Sequence, residues 1–410
     1  MYDAAGRRPY ETKGHIRVRI ESFQLERWMT KYEVNVAWDI AESGIFPMSC
    51  RELLALLPPE EREAELERLL DLRLGYSEAC GSAELRGLLA GTYENTSPDE
   101  ILVTTGAIEA NFLLFNELLS AGDRVVIVNP AYQQLHSIAR AIGCDVALWT
   151  LRDDDGFRFD LDDLRALATP GTRMIVINTP HNPTGAMLSE QELREIYALA
   201  EERDAWVLSD EAYRWLDLPG SAPLAPPMRN LGPRAISSGT FSKPFGLPGL
   251  RIGWIAAPED VVRRCWGLRD YISLSPGKLN DALAVLAFRH RDQIVARTQR
   301  IVAENLPFAA RWFAENADLV SWTPPRGGIL ALMKYQLDLP SLELANRLAE
   351  EYSVMLAPGS AFGYEGYLRI GVGNTPEIFA EGLRQTARCL RDLSSAGVGQ
   401  VRPGLAAASV

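Results

Sequence analysis

The order of apolar and polar residues predicts alternating strands and helices over the first half of the chain. Four short runs rich in β-branched residues predict strands, namely EILVTTG, RVVIVNP, RMIVINTP and WVLSDE over 100–106, 124–130, 173–180 and 206–211. Stretches with helical spacing separate these runs. The alternation is typical of a largely parallel sheet with helices on both faces.

Patterns outside this region divide the chain further. FQLERWMTKYEV, over 23–34, has the spacing of an amphipathic helix, whereas PRGGILALMKY, over 325–335, contains a strand between helical stretches. We therefore predict five parts: a flexible arm (1–19), an N-terminal segment packing with the small domain (20–48), a large domain (49–280), a smaller α+β C-terminal domain (281–393) and a disordered tail (394–410).

Composition narrows the class of protein. The formal charge is −12, from 42 Lys and Arg against 54 Asp and Glu, so we expect no binding to nucleic acid. The five cysteines are scattered and the four histidines lack metal-ligand spacing, which argues against disulfides and a metal site. The polar N-terminus lacks the apolar run of a signal peptide, and no stretch is apolar enough to span a membrane. We expect a cytoplasmic enzyme.

Polar residues follow each predicted strand. They are Thr105-Gly106, Asn129-Pro130, Asn178-Thr179-Pro180 and Ser209-Asp210-Glu211. Ligands of open α/β sheets bind beyond the carboxyl ends of the strands. The polar residues therefore fall where a binding site is expected.

The segment SSGTFSKPFGLPGLRIGW, over 237–254, combines a lysine with groups suited to phosphate. Thr240 and Ser242 supply hydroxyls, Arg251 supplies a guanidinium, and the glycines allow a close approach of the backbone. The amine of Lys243 could form an imine with an aldehyde held by such a phosphate. A glycine-rich surface loop would explain the segment equally well if it stood alone.

Three other segments favour the cofactor interpretation. Asp210 in WVLSDEAY could hold the proton of a pyridine nitrogen, although it could also be a helix N-cap. Asn182 in NTPHNPTG could donate to a phenolate oxygen, or belong to a plain loop. Gly106 in TTGAIEAN opens a helix, and backbone N–H groups at a helix start bind phosphate.

The motifs HNPTG, SDEAY and T-F-S-K-x₅-G-L-R-I-G, in this order, resemble the class I and II aminotransferases. These are enzymes of fold type I that depend on pyridoxal 5'-phosphate (PLP), and the resemblance covers about 20–393. It implies a large domain with a mostly parallel sheet sandwiched by helices, and a smaller α+β domain. It also implies that Lys243 holds PLP as an imine and later moves the α-proton of an amino acid.

The resemblance assigns the remaining roles residue by residue. For the ring, it implies that Asp210 pairs with the pyridine nitrogen, that Asn182 and Tyr213 bind the 3-oxygen, and that Tyr132 stacks on the face. For the phosphate, it implies the backbone and side-chain donors of Gly106, Ala107, Ile108, Thr240, Ser242 and Arg251.

Two further matches concern the substrate and a second subunit. Arg369 in YLRIGVG matches the arginine that binds the substrate α-carboxylate, and an Arg on an apolar strand calls for such a partner. Tyr76 in LGYSEACGSAELR matches the tyrosine that reaches the phosphate of the neighbouring subunit. The resemblance therefore implies a homodimer with shared active sites.

The reaction stays open between two kinds of chemistry. An aminotransferase, using an amino acid and a 2-oxo acid, is the first expectation. However, WDIAESGIFPMSCREL (38–53), Pro244-Phe245 and LRDYISLSPGK (268–278) depart from ordinary aminotransferases and look closer to the branch that holds capreomycidine synthase. The alternative is therefore a cyclase, oxidase, or β- or γ-lyase or replacement enzyme acting on an amino acid derived from arginine or of the S-adenosylmethionine type.

Glu42 and Ser43 are the candidates for contact with the substrate side chain, unless they only form a capped turn. A ligand-sensing domain that has kept the fold but lost turnover is a hypothesis of a different class. It is disfavoured because Lys243, Asp210 and Arg369 are all present.

Overall fold

A computed structural model describes residues 20–218 and 220–398. The predicted arm over 1–19 and the part of the predicted tail from 399 onwards lie outside the described residues. The helices are α1 Gln24–Tyr32, α2 Cys50–Leu54, α3 Pro59–Leu70, α4 Ala83–Ala90, α5 Gly106–Leu118, α6 Gln134–Ile142, α7 Leu161–Leu167, α8 Glu190–Glu202, α9 Glu259–Arg269, α10 Lys278–Arg289, α11 Arg291–Glu315, α12 Ser341–Tyr352 and α13 Pro376–Ser395.

The strands form two main sheets and one short parallel pair. They are β1 Trp38–Asp39, β2 Ile101–Thr104, β3 Arg124–Asn129, β4 Asp145–Thr150, β5 Thr172–Asn178, β6 Trp206–Asp210, β7 Ala235–Thr240, β8 Gly253–Ala256, β9 Val320–Trp322, β10 Leu330–Tyr335, β11 Val354–Met355, β12 Ala357–Pro358 and β13 Tyr367–Gly371.

The central sheet has seven strands in the order β2-β8-β7-β6-β5-β3-β4. Strand β8 runs antiparallel to both of its neighbours, and the other pairs are parallel. The four runs predicted as strands are β2, β3, β5 and β6, which confirms the predicted α/β architecture. Strands β4, β7 and β8 were not predicted; β7, for example, reads AISSGT and is buried throughout despite its polar side chains.

Both faces of this sheet are buried against helices. In β3, Val126 and Val128 pack with residues of α7 and α8, while Val125 and Ile127 pack with residues of α5, α6 and α9. Alternate residues of a strand point to opposite faces, so a strand covered on both faces has to be apolar along its length. The helices therefore leave the ends of the strands as the open part of the sheet.

The smaller sheet is antiparallel, in the order β12-β13-β10-β9, and helices α11, α12 and α13 share its core. Helix α1 joins the same core, because Trp28 Nε1 donates to Asn346 Oδ1 on α12 at 2.9 Å and the Tyr32 ring is buried beside it. The β1–β11 pair then brings the chain from α1 to the edge of the large domain. None of the helices in the described part of the chain is long and apolar enough to cross a membrane.

Candidate active site

A cavity of about 630 Å³ lies where α1 and the small domain meet the carboxyl ends of the central strands. The predicted site residues line it, apart from Gly106 and Tyr76. They are Glu42, Ser43, Ala107, Ile108, Tyr132, Asn182, Asp210, Tyr213, Thr240, Ser242, Lys243, Arg251 and Arg369. The fold thus gathers residues from almost the whole chain around one space.

Lys243 follows β7 and points into this cavity. Its Nζ donates to Ser43 Oγ at 2.7 Å and lies 3.4 Å from Glu42 Oε1. Burial alone would raise the pKa of Glu42, but the charges of Lys243 and Arg369 outweigh it and lower that pKa. Lys243 Nζ therefore lies between a hydroxyl and a carboxylate whose ionised form is favoured.

Asp210 ends β6 and is buried at the base of the cavity. Its carboxylate accepts from Asn111 Nδ2 at 2.9 Å and from the Ala212 N–H at 3.1 Å. Ser238 Oγ donates to the other end of the Asn111 amide at 3.0 Å, which fixes its orientation. Burial raises the pKa of Asp210, and the two donors oppose that rise. A buried carboxylate of this kind is suited to a cationic partner such as a protonated ring nitrogen.

The turn after β5 is held by its own amides. Asn178 Nδ2 donates to the Asp210 carbonyl at 2.8 Å, and Asn178 Oδ1 accepts from the Asn182 N–H at 2.7 Å. The side chain of Asn182 thereby reaches the cavity next to Tyr213. Burial raises the pKa of Tyr213, and the charge of Lys243 opposes this effect. The phenol is therefore a neutral donor close to the lysine.

Arg369 lies on β13 and its side chain is only 1% exposed. Nη2 donates to the Ala41 carbonyl at 2.8 Å and Nη1 donates to Asn182 Oδ1 at 3.3 Å. Its Nε is buried without a hydrogen-bond partner among the described residues. A buried guanidinium without a carboxylate partner is costly, so this arrangement favours an anionic ligand.

The end of the cavity near the start of α5 combines groups that suit a phosphate. Gly106 has φ of +76°, and a Cβ there would lie 2.7 Å from Arg251 Nη2. The hydroxyl of Thr240 donates to Ser242 Oγ at 3.0 Å. A Cβ on Gly253 would lie 2.5 Å from Ala107 N, so this glycine allows β8 to pass directly under the start of α5. Backbone N–H groups, hydroxyls and a guanidinium thus converge at one helix N-terminus.

Tyr132 forms a side of the cavity. Its hydroxyl donates to Glu26 Oε1 at 2.7 Å, and its ring contacts Phe23 with the ring centres 4.8 Å apart. Burial and the charge of Glu26 raise the pKa of Tyr132. Helix α1 is therefore attached directly to the ring that lines the site.

Gly106 adjoins the lining residue Ala107, whereas Tyr76 is a predicted site residue that lies away from this cavity. Its side chain is 86% exposed and lines a separate cavity of about 700 Å³ together with Lys278. Within one chain, Tyr76 is therefore a surface residue.

Some residues that line or support the cavity were not predicted as site residues. Asn111 was missed although it is a polar residue in the apolar helix ANFLLF, which was a usable signal. In the NTPHNPTG segment, a cofactor contact was predicted for Asn182 and none for Asn178. Glu26, Glu33 and Asp39 gave no signal, because a carboxylate in a helix or turn is ordinary in a sequence.

The family model for aminotransferases of class I and II matches residues 48–384. The chain belongs to this family. It is 35% identical to capreomycidine synthase from Streptomyces vinaceus over 347 residues, which cover 85% of this chain and 88% of that enzyme.

Two solved structures show the likeness in three dimensions. A PLP-dependent aminotransferase from Streptococcus suis is 34% identical with a TM-score of 0.86, over 91% of this chain and 98% of that one. The PLP-dependent cyclase OrfR is 33% identical with a TM-score of 0.81, over the same shares. The family and these neighbours imply that PLP is the cofactor. The chain is therefore a PLP-dependent enzyme.

The geometry of the cavity fits this cofactor. The Gly106 turn and Arg251 suit its phosphate, and buried Asp210 suits its ring nitrogen. Lys243 suits its aldehyde, because a lysine amine can form an imine. Among the described residues, the cationic side chains that line the cavity are Lys243, Arg251 and Arg369, and they match the anionic groups of PLP and an amino acid.

Proposed function

We propose that this enzyme uses PLP to transfer the amino group of an L-amino acid, with Arg369 binding the substrate α-carboxylate and Lys243 moving the α-proton. The observation that carries the proposal is Arg369 itself. It is buried in the same cavity as Lys243 and Asp210, and its Nε has no hydrogen-bond partner among the described residues. A carboxylate at that point supplies the missing anion.

The protein groups divide the chemistry between them. PLP, when bound, supplies an aldehyde and a ring that withdraws electrons from the substrate Cα. Asp210 holds the proton on the ring nitrogen, because its carboxylate is buried and fixed by Asn111. Lys243 would take the proton from the substrate Cα and deliver it to the carbon that carried the PLP aldehyde group. Ser43 and Glu42 hold the lysine in place while it carries this proton.

The remaining predicted contacts orient the cofactor. In the proposal, Asn182 and Tyr213 bind the ring 3-oxygen and Tyr132 packs on the ring. The phosphate is bound at the start of α5 and beside β7. Its donors are the backbone of Gly106, Ala107 and Ile108, with the side chains of Thr240, Ser242 and Arg251.

The substrate side chain is proposed to be cationic. The side of the cavity formed by α1 and the following turn carries Glu26, Glu33 and Glu42. Arg369 is engaged at the α-carboxylate, and Glu42 pairs with Lys243. Glu26 and Glu33 are therefore left to meet the distal end of the substrate. Amino acids derived from arginine and those of the S-adenosylmethionine type both carry positive charge there.

Cyclisation, or elimination and replacement at the side chain, is a second candidate. It is favoured by the carboxylate of Glu42, which lies 3.4 Å from Lys243 Nζ and offers another acid–base group beside the lysine. The relatives also point this way, since one is named capreomycidine synthase and another is described as a PLP-dependent cyclase.

A homodimer with shared sites is part of the proposal. Two neighbouring segments carry exposed, largely apolar side chains, namely Leu74 and Tyr76 on one and Tyr271 on the other. The segments are adjacent, since Ser77 Oγ donates to the Pro276 carbonyl at 2.5 Å. A second copy would cover them and place Tyr76 near the PLP phosphate of the other subunit. Sedimentation velocity of the wild type and of Tyr271→Asp tests this; a monomeric wild type contradicts it.

The reaction is tested with a panel of amino acids, each incubated with and without a 2-oxo acid. Transamination requires the oxo acid and consumes it in equal amount, whereas cyclisation or elimination proceeds without it; mass spectra identify the products. Lys243→Ala should abolish turnover and the visible absorbance that borohydride removes. The control is Lys334→Ala, since Lys334 pairs with Asp153 outside the cavity. Retention of both properties by Lys243→Ala refutes the proposal.

The side-chain specificity is tested with Glu26→Gln and Glu33→Gln. We expect KM for arginine-like substrates to rise and KM for neutral amino acids of similar length to stay unchanged. Loss of a charge pair at a partly exposed position is worth about 1 kcal/mol, or about fivefold. An equal change for both substrate types contradicts the cationic pocket.

A further inference from the structure

Asp39 organises the turn that connects β1 to the cavity. Its Oδ1 accepts from the Ala41 N–H at 2.9 Å and from the Glu42 N–H at 3.0 Å. Its own carbonyl accepts from Asn374 Nδ2 at 2.8 Å. Asp39 is thus held by the small domain on one side and holds the next residues on the other.

This turn supplies contacts to both ends of the substrate-binding region. The Ala41 carbonyl accepts from Arg369 Nη2 at 2.8 Å. The following side chain, Glu42, and then Ser43 lie against Lys243 Nζ. Three consecutive residues therefore connect the guanidinium proposed for the carboxylate with the amine that moves the proton.

Close contacts with the backbone of Gly371 and Gly373 determine the position of this turn, whereas hydrogen bonds determine its conformation. A Cβ on Gly371 would lie 2.2 Å from the Glu42 carbonyl oxygen, and one on Gly373 would lie 2.2 Å from the Gly44 carbonyl oxygen. The turn therefore packs directly against the main chain at these two glycines, which have no side chain to keep it away. Asp39 supplies the acceptor that orients the two N–H groups within the turn.

We propose that Asp39 is a positioning residue that holds the turn of Ala41, Glu42 and Ser43 so that Arg369 and Lys243 keep their relative placement. The inference rests on the roles proposed for Arg369 and Lys243. Asp39 does not line the cavity, so its effect on catalysis passes through the turn.

The experiment compares Asp39→Ala with Asp39→Asn in the PLP-loaded enzyme. Asp160→Ala is a matched control, because Asp160 Oδ1 also accepts from two backbone N–H groups, those of Asp162 at 2.9 Å and Asp163 at 3.3 Å, at the start of α7 away from the cavity. Each variant is measured for KM, kcat, thermal unfolding, and the pH dependence of the absorbance of bound PLP, which reports the protonation of the lysine adduct.

We expect Asp39→Ala to raise KM about tenfold, the change for one lost hydrogen bond to a charged acceptor. It should also lower kcat and shift the pH midpoint of the absorbance. Asp39→Asn keeps an acceptor oxygen and should restore most of each property. Asp160→Ala should lower the unfolding temperature while leaving KM and the pH midpoint as in the wild type.

Two outcomes overturn the inference. One is an Asp39→Ala enzyme whose KM and pH midpoint match those of Asp160→Ala; the other is an Asp39→Asn enzyme as impaired as a folded Asp39→Ala. If Asp39→Ala does not fold, Asp39→Ser takes its place. Arg369→Lys is measured in parallel: if it also leaves KM unchanged, the proposed carboxylate site is wrong, whereas a raised KM limits the failure to Asp39.

Discussion

Gly253 lies where β8 passes under the first turn of α5, and replacing it with alanine should disturb the phosphate end of the site. The new Cβ would lie 2.4 Å from the carbonyl carbon of Gly106, 2.5 Å from Ala107 N and 2.7 Å from the Gly239 carbonyl oxygen. All three atoms belong to the backbone, so no side chain can rotate away. Helix α5 and β8 would have to separate by about 1 Å to reach ordinary contact distance.

The magnitude follows from this displacement. Inserting a methyl group into a packed interior typically costs about 1–3 kcal/mol of folding free energy. Moving the N–H groups of Gly106, Ala107 and Ile108 away from the phosphate should also weaken a charge-assisted hydrogen bond. That loss is worth about 1.5–3 kcal/mol, or roughly 10- to 100-fold in PLP affinity.

The assay measures thermal unfolding of the apoenzyme and the dissociation constant of PLP by absorbance titration. Gly267→Ala is the control, because a Cβ at this position in α9 meets nothing within 4 Å. Alanine has a higher helix propensity than glycine, so the free energy of unfolding of Gly267→Ala should rise by about 0.5–1 kcal/mol. Its affinity for PLP should stay unchanged. A Gly253→Ala protein as stable as Gly267→Ala, and with wild-type affinity for PLP, would refute the reasoning.

Three further predictions concern charged groups. Burial and the charge of Glu42 raise the pKa of Asp39 from 3.8 to about 6, so protonation stabilises the fold fully below pH 3.8 and this contribution is lost as the pH rises through 6. Asp39→Asn should therefore exceed the wild type in unfolding free energy by up to about 3 kcal/mol at pH 8, with no gain at pH 3.5, as measured by urea titration; an equal gain at both values contradicts this. Asp210→Asn should lower kcat by about 100-fold or more, because the ring nitrogen loses its charged partner, while the unfolding temperature stays the same or rises; unchanged kcat removes that role from Asp210. Arg369→Gln should raise KM for the amino acid by about 30-fold or more, with PLP affinity unchanged in an absorbance titration, because it removes a buried charge from the carboxylate site; a matching loss of PLP affinity would assign the residue to the cofactor instead.

The sequence by itself determined the parts of the molecule that depend on local order. The strands β2, β3, β5 and β6 are apolar because both faces are buried, and this is visible without a structure. Lys243 with its hydroxyls and Arg251 lie within one short segment, so the cofactor motif is also continuous in sequence. The polar residues after each strand indicated the edge of the sheet where the cavity lies.

Tertiary structure decided the contacts that join distant segments. The Arg369 guanidinium meets the Ala41 carbonyl across 328 positions, and Asn111 meets Asp210 across 99 positions. Strand β7 was not predicted because its small polar residues gain their burial from the neighbouring strands, from α5 and from the segment Met228–Leu231.

The cofactor motifs can thus be read locally in the sequence, one segment at a time, whereas the substrate part is assembled by packing. The substrate part exists because α1 and the β1 turn pack on the small domain, and because Gly371 in β13 and Gly373 after it admit that turn against the backbone. A carboxylate such as Asp39 or Glu26 looks ordinary in the chain. The hydrogen bond from Tyr132 to Glu26, and the placement of the turn after Asp39 beside Lys243, are set only when the two domains come together.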